Sequence, residues 1–240
     1  MPAAVVHDLP MRWADLDSLN HVNNVVYLDY AAESRAMLVE DGLLADRPVR
    51  RVVVEFLRPL LLSRHPVQIA STVSGDELTQ EIRPVPDTSP FARVVTTFGP
   101  PEHMIAEGAY ADSLPCRVRR SDLGPDGVVT PVKVFELFQE ARILFIAGRL
   151  KSMSAGRFVV GRVDVTYGAG MPWRQEPYEV ESWVSRLGTS SATVEAQIVG
   201  NGTVRARATS AMIGFDLGSQ RSRPFSDEER AAFAALSLPD

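Results

Sequence analysis

Apolar and polar positions along this chain fall into two runs of the same kind, each a long segment of helical spacing followed by several strand-like segments. In the first run Val25, Val26, Leu28, Tyr30, Ala31, Met37 and Leu38 mark the helix. Asn20 or Asn23 caps its start, and it runs to about Glu40. Asp41-Gly42 ends it, with a glycine suited to the left-handed C-terminal position. Residues 4–14 read as a short strand ahead of the helix. Beyond it, Val49 to Pro59 is rich in β-branched residues and closed by proline, hence a strand. Segments 66–76, 78–85, 91–99 and 102–112 follow as strand-like runs between turn signals such as Ser74-Gly75-Asp76 and Gly99-Pro100-Pro101.

The second run repeats the first at an offset of 107 residues (122 − 15 = 107). Arg12 meets Arg119, Asp15 meets Asp122, Leu16 meets Leu123, Val22 meets Val129, Val25 meets Val132, Glu33 meets Glu140 and Arg35 meets Arg142. These seven identities in 24 positions exceed the roughly one or two expected from ordinary amino-acid usage. The order of elements repeats too: a helix over 131–150, a strand through Gly161–Tyr167, then strands near 177–187, 191–200 and 202–216. Helix first and then strands without intervening helices excludes a doubly wound parallel sheet. The reading is a tandem duplication of one α+β unit, each a long helix packed across one face of an antiparallel sheet, with the two repeats pairing edge to edge. After about residue 218 the chain turns polar, and Ser226 to Glu229 forms a capping box for a short helix ending near Leu236.

One stretch breaks the pattern. Between Asp15 and Tyr27 the chain packs two carboxylates, a histidine and three asparagines into thirteen residues, at the point where a strand ends and the first long helix begins. Composition narrows what such a cluster serves. A net charge of -5 and a pI near 5.5, with basic residues only in short pairs such as Arg50-Arg51, argue against nucleic-acid binding. No apolar run reaches the length of a membrane span, the N-terminus lacks a secretory pattern, and the single Cys116 forms no internal disulfide. The expectation is a cytoplasmic protein without a membrane partner. Cys116, with no histidine near it in sequence, reads as a packed, inert thiol.

Asp15-Leu16-Asp17-x-x-x-His21-Val22-Asn23-Asn24-x-x-Tyr27, followed by Glu33-Ser34-Arg35, resembles the signature of the hotdog-fold acyl thioesterases, in the branch of 4-hydroxybenzoyl-CoA thioesterase-like and acyl-ACP thioesterase-like proteins. The motif is dense and specific in this stretch, and the order of elements extends the resemblance over residues 5–218. The resemblance implies a tandem double hotdog, with an intrachain pseudo-dimer and optional further homo-oligomers. It implies hydrolysis of an acyl thioester without metal or nucleotide cofactor, and Asp17 as the catalytic carboxylate, acting as nucleophile or general base. Plant-type acyl-ACP thioesterases carry an asparagine two residues after that aspartate, where this chain has Leu19. The departure favours acyl-CoA over acyl-ACP as substrate. The expected organisation is an N-terminal repeat over 1–113 with the site, a degenerate repeat over 114–218, and a polar tail with a short helix over 219–240.

Thioester hydrolysis needs a base or nucleophile, polarisation of the carbonyl and an oxyanion hole. A carboxylate before a helix supplies the first, and free N–H groups around Asn23, Asn24 and Val25 at the helix N-terminus supply the others. His21 can donate to the carbonyl, orient Asp17 or hold water; its structural alternative is a helix-entry residue bonded to a turn carbonyl. Val25, Tyr27 and Arg58 are candidate substrate-binding residues, and Arg50, Arg51 and Arg64 join Arg58 as candidates for CoA phosphates. Asp15 is kept as Asp122 where Asp17 becomes Gly124, which fits a structural task. Glu140 is either an ion-pair residue or a candidate second carboxylate. In the second repeat Asp126 is a candidate substitute for the lost Asp17, but Pro125-Asp126-Gly127 is a ready turn sequence, and one working site per chain is expected. Two other functions share these features. An enoyl-CoA hydratase or hydroxyacyl dehydratase would have aspartate and histidine five apart around an Asn-Pro, whereas here they are four apart (21 − 17 = 4) with no proline. A non-catalytic acyl-thioester binder is the other.

Overall fold

A computed structural model of the chain describes residues 4–17, 20–85, 89–106, 108–147 and 157–238. It divides into two compact units, Met1–Pro100 and Pro101–Asp240.

The first unit opens with β1 (Val5–Leu9) and a 3-10 turn at Trp13–Asp15, followed by the long helix α1 (Asn24–Glu40). Strands β2 (Val49–Phe56), β3 (Val67–Ser74), β4 (Glu77–Pro84) and β5 (Ala92–Phe98) complete it. They form an antiparallel sheet in the order β1-β3-β4-β5-β2. Helix α1 buries Tyr27, Ala31, Ser34 and Leu38, three or four residues apart, and packs on β3, β4 and β5. The strands answer with alternation: Ala92, Val94, Thr96 and Phe98 of β5 are buried and the residues between them are not. Of the two candidate caps, Asn23 is the one that starts α1. At the other end Gly42 takes φ +71°, Gly42 N–H donates to Val39 O and Leu43 N–H to Leu38 O, the paired bonds of a left-handed helix stop.

The second unit has the same plan. Strand β6 (Asp112–Cys116) and a 3-10 turn at Arg120–Asp122 are offset from their counterparts by 107 residues at both ends, and α2 (Pro131–Ala147) is so at its start. Strands β7 (Phe158–Tyr167), β8 (Tyr178–Leu187), β9 (Ser191–Gly200) and β10 (Thr203–Asp216) then build the antiparallel order β7-β10-β9-β8-β6. The β9–β10 hairpin turns through Asn201 and Gly202, both at positive φ, the pair that a tight primed turn requires. A two-residue strand β11 (Arg221–Ser222) pairs with β10, and α3 (Asp227–Ala234) closes the unit. Its capping box forms as the sequence predicts, Ser226 and Glu229 each bonding the other's backbone N–H. Phe233 and Leu236 are buried with Phe145 and Ile146 of α2 and Val194 of β9, so the tail is a brace on the second unit.

Two expectations change. The run 102–112 is not a strand: its described residues are held at separate points, Glu102 N–H donating to Tyr167 O, Ile105 O accepting from Arg207 and Ala111 N–H donating to Ser182 O, and the strand begins only at Asp112. Ile105 in that run is exposed, so apolar character there does not report burial. Residues 148–150, assigned to the second helix from sequence, lie outside the described residues. Among the described residues no helix is long and apolar enough to cross a membrane.

Candidate active site

Asp17 sits in a loop closed by a bridge between Leu16 and Val22. Its N–H donates to His21 O (2.8 Å), its carbonyl accepts from Asn20 N–H (3.1 Å), and its Oδ1 accepts from His21 N–H (3.1 Å). Asn20 turns the chain at φ 58°, a left-handed conformation that asparagine tolerates better than most residues. Ser18 and Leu19 lie outside the described residues. His21 is therefore coupled to Asp17 through its main chain. Among the described residues its half-buried imidazole makes no hydrogen bond.

The helix entrance corrects one expectation. The amides of residues 23–25 are not all free: Asn23 N–H donates to Asp15 O (2.8 Å) and Val25 N–H to Asn23 Oδ1 (3.1 Å). Asn23 needs this geometry to start the helix, since a cap spends its side chain on a first-turn donor. Of the three, only Asn24 N–H has no hydrogen bond among the described residues, and it lies at the positive end of the helix dipole.

The remaining candidates are dispersed in role. The side chain of Val25 is buried. Tyr27 is buried edge-on to Phe56 (ring centroids 5.5 Å apart), and its hydroxyl accepts from Leu60 N–H at 3.0 Å. Burial pushes that phenol up to about 12, with the charge of Asp17 adding to the rise. Arg58 stacks over Phe91 (4.4 Å) and donates to the carbonyls of Ser89 and Pro90. Glu140 is exposed on α2, at a groove of the second unit. Asp15 performs the structural task read from its retention: Oδ2 accepts Arg12 N–H (2.6 Å) and the Tyr30 hydroxyl (2.7 Å). Burial and that carboxylate hold the Tyr30 hydroxyl protonated well above its ordinary range. Cys116 is buried, and burial with the charges of Asp122 and Glu179 raises its thiol to about 11, so little thiolate exists at neutral pH. Among the described residues no three His, Cys, Asp or Glu side chains cluster as metal ligands.

Two features escaped the sequence reading. The first is the segment after β2, where Val22 N–H donates to Leu60 O (2.8 Å) and His21 bridges Leu61, so this segment backs the Asp17 loop. The apolar run Leu60-Leu61-Leu62 just past Pro59 was its only signal. The second lies in the other unit, where Gly124 N–H donates to Val128 O (2.8 Å) and Gly127, at φ 77°, repeats the turn. There Asp126 Oδ1 accepts Val128 N–H (3.2 Å), the counterpart of the amide bound by Asp17. A side chain on Gly124 would press on it, since an added Cβ would lie 3.1 Å from that oxygen. The sequence offers Asp126 as a substitute carboxylate but not this bond, because the carboxylate has moved two residues along the loop.

Residues 118–233 match the family model of the thioesterase-like superfamily, and residues 2–81 that of the acyl-ACP thioesterase C-terminal domain. The search of curated proteins returned no match. Among solved structures, the chain is similar to a protein described as an oleoyl thioesterase from Lactobacillus plantarum, with 14% identity, a TM-score of 0.67, and 89% of this chain and 96% of that one covered. It is also similar to the 12:0-ACP thioesterase from Umbellularia californica (11% identity, TM-score 0.66, 92% and 94% covered). An acyl-ACP thioesterase from Bacteroides thetaiotaomicron gives 12% identity and a TM-score of 0.60, with 87% and 97% covered. At these identities the likeness to the solved structures is one of fold: a tandem double hotdog.

Proposed function

We propose that the chain hydrolyses an acyl-CoA, with Asp17 as the catalytic carboxylate. The matches of residues 118–233 and 2–81 to two thioesterase family models support thioester hydrolysis as the class of reaction. The observation that carries the choice of Asp17 is its setting. It is a half-buried carboxylate, held by one oxygen on a backbone amide in the loop that feeds the N-terminus of α1.

In the general-base form, Asp17 takes a proton from water as the water oxygen bonds to the carbonyl carbon. The C–S bond then breaks and the proton passes to the departing thiolate, giving a carboxylic acid and a thiol. In the nucleophilic form an Asp17 oxygen displaces the thiolate to give a mixed anhydride, which water then cleaves. Asn24 N–H and the helix dipole polarise the carbonyl in either form, and the His21 imidazole positions water. Asn23 and Tyr27 act behind them, one capping the helix and the other fixing Leu60. A second reading, acyl-ACP as substrate, is favoured by the match of residues 2–81 to the acyl-ACP thioesterase domain. Leu19, where plant-type enzymes carry asparagine, supports CoA instead.

Thiol release measured across acyl-CoA and acyl-ACP substrates tests both readings. Asp17→Asn should cut turnover by about a hundredfold or more. The fold should stand, because an asparagine Oδ1 still accepts His21 N–H. Unchanged turnover in that variant would remove Asp17 from the mechanism. Loss of enoyl absorbance from crotonyl-CoA without thiol release would instead indicate a hydratase, and binding without any turnover a carrier protein.

A further inference from the structure

In the second unit, α2 and β6 flank a groove of 350 Å³ whose lining includes Leu114, Cys116, Asp122, Leu137, Leu144 and Val180. From the comparison of the two repeats we infer that this groove binds a small neutral molecule carrying a hydroxyl group on an aromatic ring.

The repeats coincide in this region: β1 and β6, the two 3-10 turns, and α1 and α2 all share the 107-residue offset. Leu137 therefore stands where the first unit has Tyr30, and Asp122 where it has Asp15. In the first unit the Tyr30 ring is buried and its hydroxyl donates to Asp15 Oδ2 at 2.7 Å. Asp15 also receives Arg12 N–H, and Asp122 receives Arg119 N–H at 2.7 Å in the same way. The second donor is missing. Leu137 has no hydroxyl, and among the described residues Arg119 N–H is the only hydrogen-bond donor to the Asp122 carboxylate. Yet Asp122 is only 8% exposed, a position in which a carboxylate gains from every donor it can find.

Leu137 is also shorter than tyrosine, so the groove opens beside the carboxylate that the first unit covers with a phenol. The walls are apolar at Leu114, Leu137, Leu144 and Val180, and the polar end is a carboxylate. A pocket of that kind orients an apolar body by one hydrogen bond. The ligand that restores what the first unit supplies internally is a phenol, its ring on the leucines and its O–H on Asp122. The lining carries Arg117, Arg119 and Lys133 as well as Asp122, Glu136 and Glu140, so its formal charges balance, which suits a neutral ligand. The proposed hydrolysis step uses none of these residues, Glu140 included, so the inference stands apart from the proposed activity.

Titrating p-cresol into the full chain, followed by saturation-transfer NMR and calorimetry, tests the site. Saturable binding is expected, weakened at least tenfold in Leu137→Tyr, which restores the first unit's own side chain, and equally in Leu137→Phe, which fills the same space without the hydroxyl. Toluene should bind at least tenfold more weakly than p-cresol. The inference falls if p-cresol does not saturate the parent chain at millimolar concentration, if both variants bind it as tightly as the parent does, or if toluene binds as well. Thiol release is a separate readout, so failure of the thioesterase reading leaves this result interpretable.

Discussion

Tyr27 joins two parts of the first unit that the chain separates by 33 residues, through a single acceptor for Leu60 N–H. Removing only its oxygen leaves that buried N–H unsatisfied. Tyr27→Phe should therefore cost about 1–3 kcal/mol in denaturant unfolding, more than the loss of one exchangeable hydrogen bond. Leu60 and Leu61 also back the loop that holds Asp17, so turnover should fall in the same variant although Tyr27 touches no reacting atom. At this scale residue identities were legible and their partners were not. The density of Asp17, His21, Asn23 and Asn24 marked the candidate site. That His21 meets Asp17 through its backbone, and that Asn23 spends its side chain on Val25, depends on backbone angles that side-chain chemistry does not set.

Among the elements, α3 is tied down through one buried carboxylate. Glu229, 3% exposed, is bound by Arg223 through both oxygens, by Arg157, and by Ser226 N–H. The Arg223 hydrogen bond is the largest cause of a carboxyl held down to about 2, from an ordinary value of 4.5. A depressed carboxyl contributes stability above the unfolded value and loses it as pH falls through the folded one. The brace should therefore loosen between pH 4.5 and about 2, read by exchange of the α3 amides. Glu229→Gln should mimic that loss at neutral pH, at about 2 kcal/mol. This is less than for a fully buried pair, because Arg157 and Arg223 stay partly in solvent. Element type was mostly legible, since 3.6- and 2-residue periods are imposed by burial on one face. It failed at 102–112, where an apolar run such as Met104-Ile105-Ala106 lacks the neighbouring strand that makes such a run a strand.

For the molecule as a whole, the duplication decides how many sites to expect. Asp126 binds the backbone amide that Asp17 binds in the other repeat, yet Val128 stands where His21 would be, and Pro131 in place of Asn24 has no N–H to offer. Asp126→Asn should accordingly leave thiol release within about twofold of the parent, against the hundredfold or greater loss in Asp17→Asn. Equal losses would mean two working sites. The sequence by itself determined the tandem α+β plan, the helix stop at Gly42, the capping box at Ser226 and the stretch proposed to carry the chemistry, because each rests on local periods, local caps or identity between repeats. The tertiary structure alone decided the strand order, the tie from Tyr27 to Leu60, the shifted carboxylate at Asp126 and the groove left open at Leu137. These are contacts between distant residues, whose positions follow from how the sheet registers against the helix and not from any spacing along the chain.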